Sequence, residues 1–381
     1  MKNFQFESTF LVNQNTQVIK HKSLDYNPLN NTPNPTYNSK KNNKEMRVLN
    51  LICHQRNMNS VKYNREGDLL FTADAGGKIA IWNSITGELL GSLEGHQGAV
   101  PAMCASDDSK FMVTGSGDFS LKTWSLENGD CLQTIESGLP ADMVMSNDSQ
   151  YVAISIQPVM AYKSSIQIFK YDKNTGLLSD EPIHQILKTP EDEAKDLKGF
   201  ARMGFSFQDK YLFATTDDGH LLRYDFDAVL KGDYTKREMT RIHKNIIRDI
   251  QFSQDKTYLI TASRDRFSKL IDVETLKVMK SYENMHPLNT AAITPLKNYV
   301  LIAGGQNAKD VTTTDSKHGG FEIKLLHKIF NQELSAFKGH FGPVNNIAVS
   351  PQGTSFTSGG EDGTVRVWFF EPSYFNYEDG L

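Results

Sequence analysis

Each of the three tryptophans in this chain lies 28 residues after a histidine: His54 and Trp82, His96 and Trp124, His340 and Trp368. A fourth histidine, His243, has Ile271 at that spacing, followed by Asp272. A pair that recurs at one distance implies a repeated structural unit. The intervening segments repeat in kind as well. Residues 62–71 read as a strand, a polar turn and a second strand, and the pattern returns at 205–213, 252–260 and 349–356. A turn with Asp or Gly then leads into a third alternating run. In the tryptophan units that run ends at the tryptophan, over 78–82, 120–124 and 364–368. Short β-runs at regular spacing, punctuated by polar turns, predict an all-β chain.

From Met46 to Leu381 there are 336 residues, or 48 for each of seven units. Weaker units fit between the strong ones, around residues 143–169, 201–224 and 288–326. WD40 blades run about 40–45 residues before insertions. The predicted fold is therefore all-β, a seven-bladed WD40 β-propeller over residues 46–381. Its closure is legible too. Residues 48–51 precede their histidine at the same offset as 90–93 and 334–337 precede theirs, so residues 46–52 read as an outer fourth strand with no blade of its own before it. The last unit reaches only its third strand at Trp368. The N-terminal strand is expected to complete the last blade and cover its open edge.

Composition bounds the rest. A length of 381 residues exceeds what one hydrophobic core supports, which suits a repeat architecture. With 39% hydrophobic and 23% charged residues the chain reads as soluble and globular. No run approaches the 18 or so apolar residues of a membrane helix, so no membrane contact is expected. Cys53, Cys104 and Cys131 form no Cys-x-x-Cys pair, which fits a reducing compartment. The apolar run at residues 10–12 is too short for a secretory signal core, and the first arginine is Arg47, so the cytoplasm is the expected location. Residues 1–45 hold ten asparagines, three prolines, six lysines and three acids. That polarity reads as a mostly disordered extension. The other reading is a docking arm using Phe4, Phe6, Phe10 and the lysines. The extension carries +3 of a net charge of −4, leaving the body at −7. That argues against a nucleic-acid-binding face over the whole molecule and leaves direct RNA contact open.

Ser116, His96 and Asp118 invite a hydrolase reading. Their spacing to Trp124 favours another. It resembles the structural tetrad of WD40 blades, in which Asp accepts from His, His meets Ser, and Ser reaches the indole N–H. The pattern recurs in part at His243, Ser263 and Asp265, and at His340, Asp362 and Trp368. A catalytic triad is needed once, a strut once per blade. No phosphate-binding Gly-x-x-x-x-Gly-Lys-Ser/Thr loop, His-Glu-x-x-His zinc motif or Gly-x-Ser-x-Gly elbow is present. The expectation is no enzyme, no metal site and no cofactor.

Asp255, in a first-to-second turn, and Asp272, at the end of a third strand, belong to one unit. Both turns leave a blade on the same rim, while Arg264 and Arg266, in the second-to-third turn, leave on the opposite one. The pair reads either as ordinary turn acids or as an acidic patch for a basic partner. The segment Gly304 to Thr314 is longer than a blade turn and suits partner contact or internal packing.

Several segments together resemble a known family: Gly305-Gln306-Asn307-Ala308-Lys309-Asp310-Val311-Thr312-Thr313-Thr314, His340-Phe341-Gly342-Pro343-Val344-Asn345, Pro287-Leu288-Asn289-Thr290-Ala291, Glu181-Pro182-Ile183-His184 and Ser373-Tyr374-Phe375. The set is similar to the i subunit of eukaryotic translation initiation factor 3, over roughly residues 46–377. The resemblance implies a non-catalytic scaffold that binds the b and g subunits and supports assembly of the small-ribosomal-subunit complex and mRNA scanning. It implies that a b-subunit helix docks across the fifth and sixth blades, at Asp255 and Asp272. The alternative is a WD40 signalling adaptor of the receptor-associated type, which shares the blades but not the Asp-Val-Thr-Thr-Thr segment. Two departures stand out. Gly76 occupies the first unit's turn-aspartate position, with Asp74 nearby, and residues 1–45 match no family feature.

Overall fold

The second strand of each repeat is the most apolar stretch of the chain, and it is sealed on both faces. Leu69–Asp74, Tyr211–Thr216 and Tyr258–Ser263 are buried at every position but the first, and Tyr299–Gly304 and Ser355–Gly360 throughout. Outer strands such as Cys131–Glu136 and Val278–Glu283 are largely exposed. Burial that fades outward is what a stack of radial sheets produces, since only the outer edge meets water. The computed structural model describes residues 16–19, 46–159, 162–189, 197–306 and 320–376, and in it the strands form seven antiparallel sheets. Six sheets are four-stranded meanders in chain order, beginning at Met58, Ala102, Leu139, Phe200, Ile247 and Leu288. These are blades 1 to 6.

Blade 7 is assembled from both ends of the described body. Val344–Val349, Ser355–Gly360 and Val365–Phe369 supply three strands, and Met46–Leu51 pairs antiparallel with the third, Val48 opposite Trp368 and Leu51 opposite Val365. The ring is closed by the N-terminal strand, as its offset predicts. Within the extension, Thr16–Ile19 adds a fifth, antiparallel strand outside Met46–Leu51. The rest of the segment read as disordered lies outside the described residues.

The core is divided into seven parts, one at each blade–blade junction. Phe71, Met103 and Trp124 fill the first. Tyr299, Phe337, Phe356 and Trp368 fill the sixth. Leu51, Met58, Trp82 and Val367 join blade 7 to blade 1. At the axis, inner strands are tied by polar bonds that cross between blades. Asp142 of blade 3 accepts from the Met203 N–H of blade 4 at 2.9 Å. Thr290 of blade 6 donates to Asp249 of blade 5 at 2.6 Å and accepts from the Ile347 N–H of blade 7 at 3.0 Å. Asn345 of blade 7 donates to the Met58 carbonyl of blade 1 at 3.0 Å. Buried polar groups at a narrow axis need partners, and neighbouring strands provide them.

Candidate functional site

The Ser-His-Asp groups can be followed bond by bond. In blade 2, His96 Nδ1 lies 3.0 Å from Asp118, His96 Nε2 lies 2.8 Å from Thr114 Oγ1, and Trp124 Nε1 donates to the same oxygen at 2.8 Å. The hydroxyl in the relay is therefore Thr114, and the assignment of Ser116 is corrected. Ser116 donates to the Gly98 carbonyl and accepts from the Asp118 N–H, which ties the turn instead. The reason is reach. Trp124 stands opposite Met112, so Thr114 is its diagonal neighbour two residues on. Ser116 is four residues on, about 13 Å along a strand. Blade 5 repeats the correction, with His243 Nε2 on Thr261 at 2.8 Å and Ser263 bonded to the Asn245 carbonyl. Ile271 stands in the tryptophan position and ends that relay. In blade 7, His340 lies between Asp362 at 3.2 Å and Ser358 at 2.7 Å, and Trp368 Nε1 donates to Ser358 at 2.9 Å.

Blade 1 carries a complete relay despite Gly76. Asp74, two residues earlier at the strand end, reaches His54 Nδ1 at 2.9 Å, and Thr72 joins His54 and Trp82 at 2.7 and 2.8 Å. The other oxygen of Asp74 accepts from the Gly76 and Lys78 N–H groups.

The protonation pattern follows from which atoms can donate. Indole N–H only donates, so in blades 1, 2 and 7 the Thr or Ser oxygen accepts from it and gives its own proton to His Nε2. The imidazole proton then sits on Nδ1, facing the carboxylate. Burial lowers the pKa of His54, His96 and His243 against the opposing pull of their aspartates, which keeps the rings neutral. Burial works to raise Asp118, but Ser120, the Gln97 N–H and His96 outweigh it and hold its pKa at about 2. Asp265 is held at about 2 in the same way by His243 and the Lys244 N–H. Hydroxyl, imidazole and carboxylate thus line up as in a hydrolytic triad. Yet Thr72, Thr114, Thr261 and Ser358 are all wholly buried, and three of them accept an indole proton. These groups are struts sealed from any substrate.

Asp255 and Asp272 lie on one rim. Tyr258 is opposite Asp272 in the ladder, and the Val273 N–H donates to the Thr257 carbonyl at 3.0 Å, so the two turns are joined by backbone. Each carboxylate is fixed by its own turn. Asp255 accepts from Ser253 at 2.6 Å and Thr257 at 2.8 Å. Asp272 accepts from the Thr275 N–H and hydroxyl, both at 2.7 Å. Partial burial would raise Asp255, but the bonds from Ser253 and Thr257 prevail and lower it. The Thr275 bonds lower Asp272. Both remain anionic, and among the described residues no lysine or arginine lies within ion-pair distance of either. Sequence reasoning missed what surrounds them. The adjacent turns of blade 6 on this rim expose Leu296, Ile329 and Phe330, the last at 60%. Lys328 lies over the Tyr258 ring at 5.8 Å, and Tyr282 donates to the Lys328 carbonyl at 2.7 Å, which binds the two blades together here. Apolar residues in turns, where polar ones are usual, were the available signal. The Asp-Val-Thr-Thr-Thr segment lies outside the described residues, and no cluster of metal-binding side chains occurs among those described.

The sequence model of the family described as EIF3I matches residues 46–379. Eukaryotic translation initiation factor 3 subunit I of Candida glabrata is 44% identical over 339 residues, covering 87% of this chain and 95% of that protein. The protein of the same name from Saccharomyces cerevisiae (strain ATCC 204508 / S288c) is 42% identical over 339 residues, with the same coverage. That of Kluyveromyces lactis is 37% identical over 337 residues, covering 87% and 94%.

Proposed function

Because this chain belongs to the family of subunit I of eukaryotic translation initiation factor 3, we propose that it is a non-catalytic scaffold of that factor in the cytoplasm. It holds the b and g subunits and supports assembly of the small-ribosomal-subunit complex and mRNA scanning. The observation that carries the reading is the rim of blades 5 and 6. Two anionic carboxylates, Asp255 and Asp272, are fixed by their own turns, with no lysine or arginine among the described residues within ion-pair distance, beside exposed Leu296, Ile329 and Phe330. An amphipathic helix with basic residues flanking an apolar stripe fits that surface, the stripe on the apolar side chains and the bases on the acids. The two carboxylates are already held by their own turns, which lowers the ordering cost of association. The alternative of a signalling adaptor is supported by the blades alone, whereas the family match spans the whole ring.

Reversing both charges, Asp255→Lys with Asp272→Lys, is expected to weaken capture of the b subunit by roughly a hundredfold while leaving the ring folded, with a melting temperature a few degrees lower for the lost turn bonds; Asp255→Asn with Asp272→Asn, which keeps an acceptor in each turn, should weaken capture less but in the same direction. Capture that is unchanged by the double reversal would sink the site.

A further inference from the structure

In blades 1 to 5 and blade 7, the turn between first and second strands holds one residue at positive φ: Gly67 at 79°, Ser109 at 56°, Ser149 at 50°, Asp209 at 57°, Lys256 at 56° and Gly353 at 67°. In each the N–H donates to the carbonyl three residues back, as from Lys256 to Ser253 at 2.9 Å. Left-handed backbone is unfavourable for a residue with a side chain, and four of these six are glycine or serine. Asp209 and Lys256 are the charged exceptions. Such strain tends to persist where the side chain serves a site.

Both exceptions converge on Asn147, in the corresponding turn of blade 3. Asp209 of blade 4 accepts from the Asn147 N–H at 2.7 Å, from the Asn147 side-chain amide at 2.6 Å and from the Asp148 N–H at 3.1 Å. The same amide group donates to the Ser206 carbonyl at 2.7 Å. Its donors are thus committed to blade 4, which leaves Asn147 Oδ1 as an acceptor, and the Lys256 ammonium of blade 5 donates to it. Burial lowers the pKa of Lys256 against the opposing pull of Asp209 and Asp107. Lys256 and Asn147 both line the axial cavity of the ring. Lys256 is also the residue next to Asp255, so the cation nearest in sequence reaches across to blade 3 rather than neutralising that acid.

Resting on the reading of this rim as a partner site, we propose that Lys256 is a positioning residue for Asp255: its bond to Asn147 ties the acid's turn to blades 3 and 4 and holds the carboxylate in place for a basic partner segment. Holding a group in its bound position before association removes an ordering cost. Simple electrostatics points the other way. A cation close to the acid weakens the attraction for a basic segment, so its removal would tighten capture if charge were its whole contribution. The sign of the effect therefore separates the two roles.

The test uses the full-length chain with Lys256→Met, which keeps the stem and removes the ammonium, and Lys256→Arg, which keeps a donor. In the free protein, amide exchange across residues 253–258 is expected to quicken roughly tenfold in Lys256→Met. Capture of the b subunit is expected to weaken roughly tenfold in that variant and to return largely with Lys256→Arg. In a chain that already carries Asp255→Asn, Lys256→Met should change capture little, since the two residues act as one unit. Exchange unaltered by Lys256→Met overturns the tether. Capture that responds to the double charge reversal but is unchanged or tighter in Lys256→Met overturns the positioning role alone. Capture indifferent to the double reversal removes the rim site, and this proposal with it.

Discussion

At the scale of single residues, two positions along a strand decide which hydroxyl joins tryptophan to histidine. The 28-residue spacing of His and Trp was legible because both are rare and recur. The hydroxyl was not, because Thr114 and Ser116 are both plausible by type and only strand register separates them. Once seen, the rule is simple: a hydroxyl ten residues before the tryptophan, at Thr72, Thr114 and Ser358. Asp74 was hidden differently, since a carboxylate at a strand end can reach the histidine from two residues away. Thr114→Ala leaves an indole N–H and an imidazole nitrogen buried without partners, and is expected to cost about 2 kcal/mol of stability. Thr114→Ser should restore most of it. Denaturant unfolding of the three proteins checks this, and an alanine variant as stable as the parent would remove the strut from the account of stability.

At the scale of elements, the short strand Met46–Leu51 is both the first of the body and the last piece of the ring. Its offset from His54 gave it away. The weaker blades were legible as strand–turn–strand units, with their fourth strands hidden by polar composition that is natural for an exposed edge. The acidic half of the blade 5 rim could be read, because topology alone puts first-to-second and third-to-fourth turns together. The apolar half could not, because exposure of Ile329 and Phe330 depends on how blades 5 and 6 lie against each other. Val48, wholly buried between Phe337 and Trp368 in the same core part, tests the closure. Val48→Ala is expected to cost about 2 kcal/mol, and deletion of residues 46–52 to lower the melting temperature far more, as calorimetry would show. A ring that melts unchanged without that strand would contradict closure.

At the scale of the whole molecule, the buried histidine–aspartate struts of four blades make stability respond to pH. Burial holds His54, His96 and His243 below the ordinary imidazole value of about 6.5. Below that pH the unfolded chain binds more protons than the folded one, so stability present at neutral pH falls as the solution is acidified toward the folded values. Asp118 and Asp265, held at about 2, add stability that is present above about 3.9 and is lost as pH falls through 2. Asp249, whose burial raises its carboxyl, acts in the opposite sense at acid pH. The histidine part is therefore read by difference. His96→Asn should be less stable at pH 7 and lose stability less steeply between pH 7 and 5. Equal slopes for the two proteins in denaturant titrations would count against a neutral buried His96. The closing strand has one more consequence, and it concerns time. Met46–Leu51 is made more than 300 residues ahead of its partner, Val365–Phe369. At about 5–20 residues per second, the first strand waits some tens of seconds with an unsatisfied edge. During biosynthesis the blades form an open arc, exposed to mispairing until Val365–Phe369 emerges to meet the waiting strand.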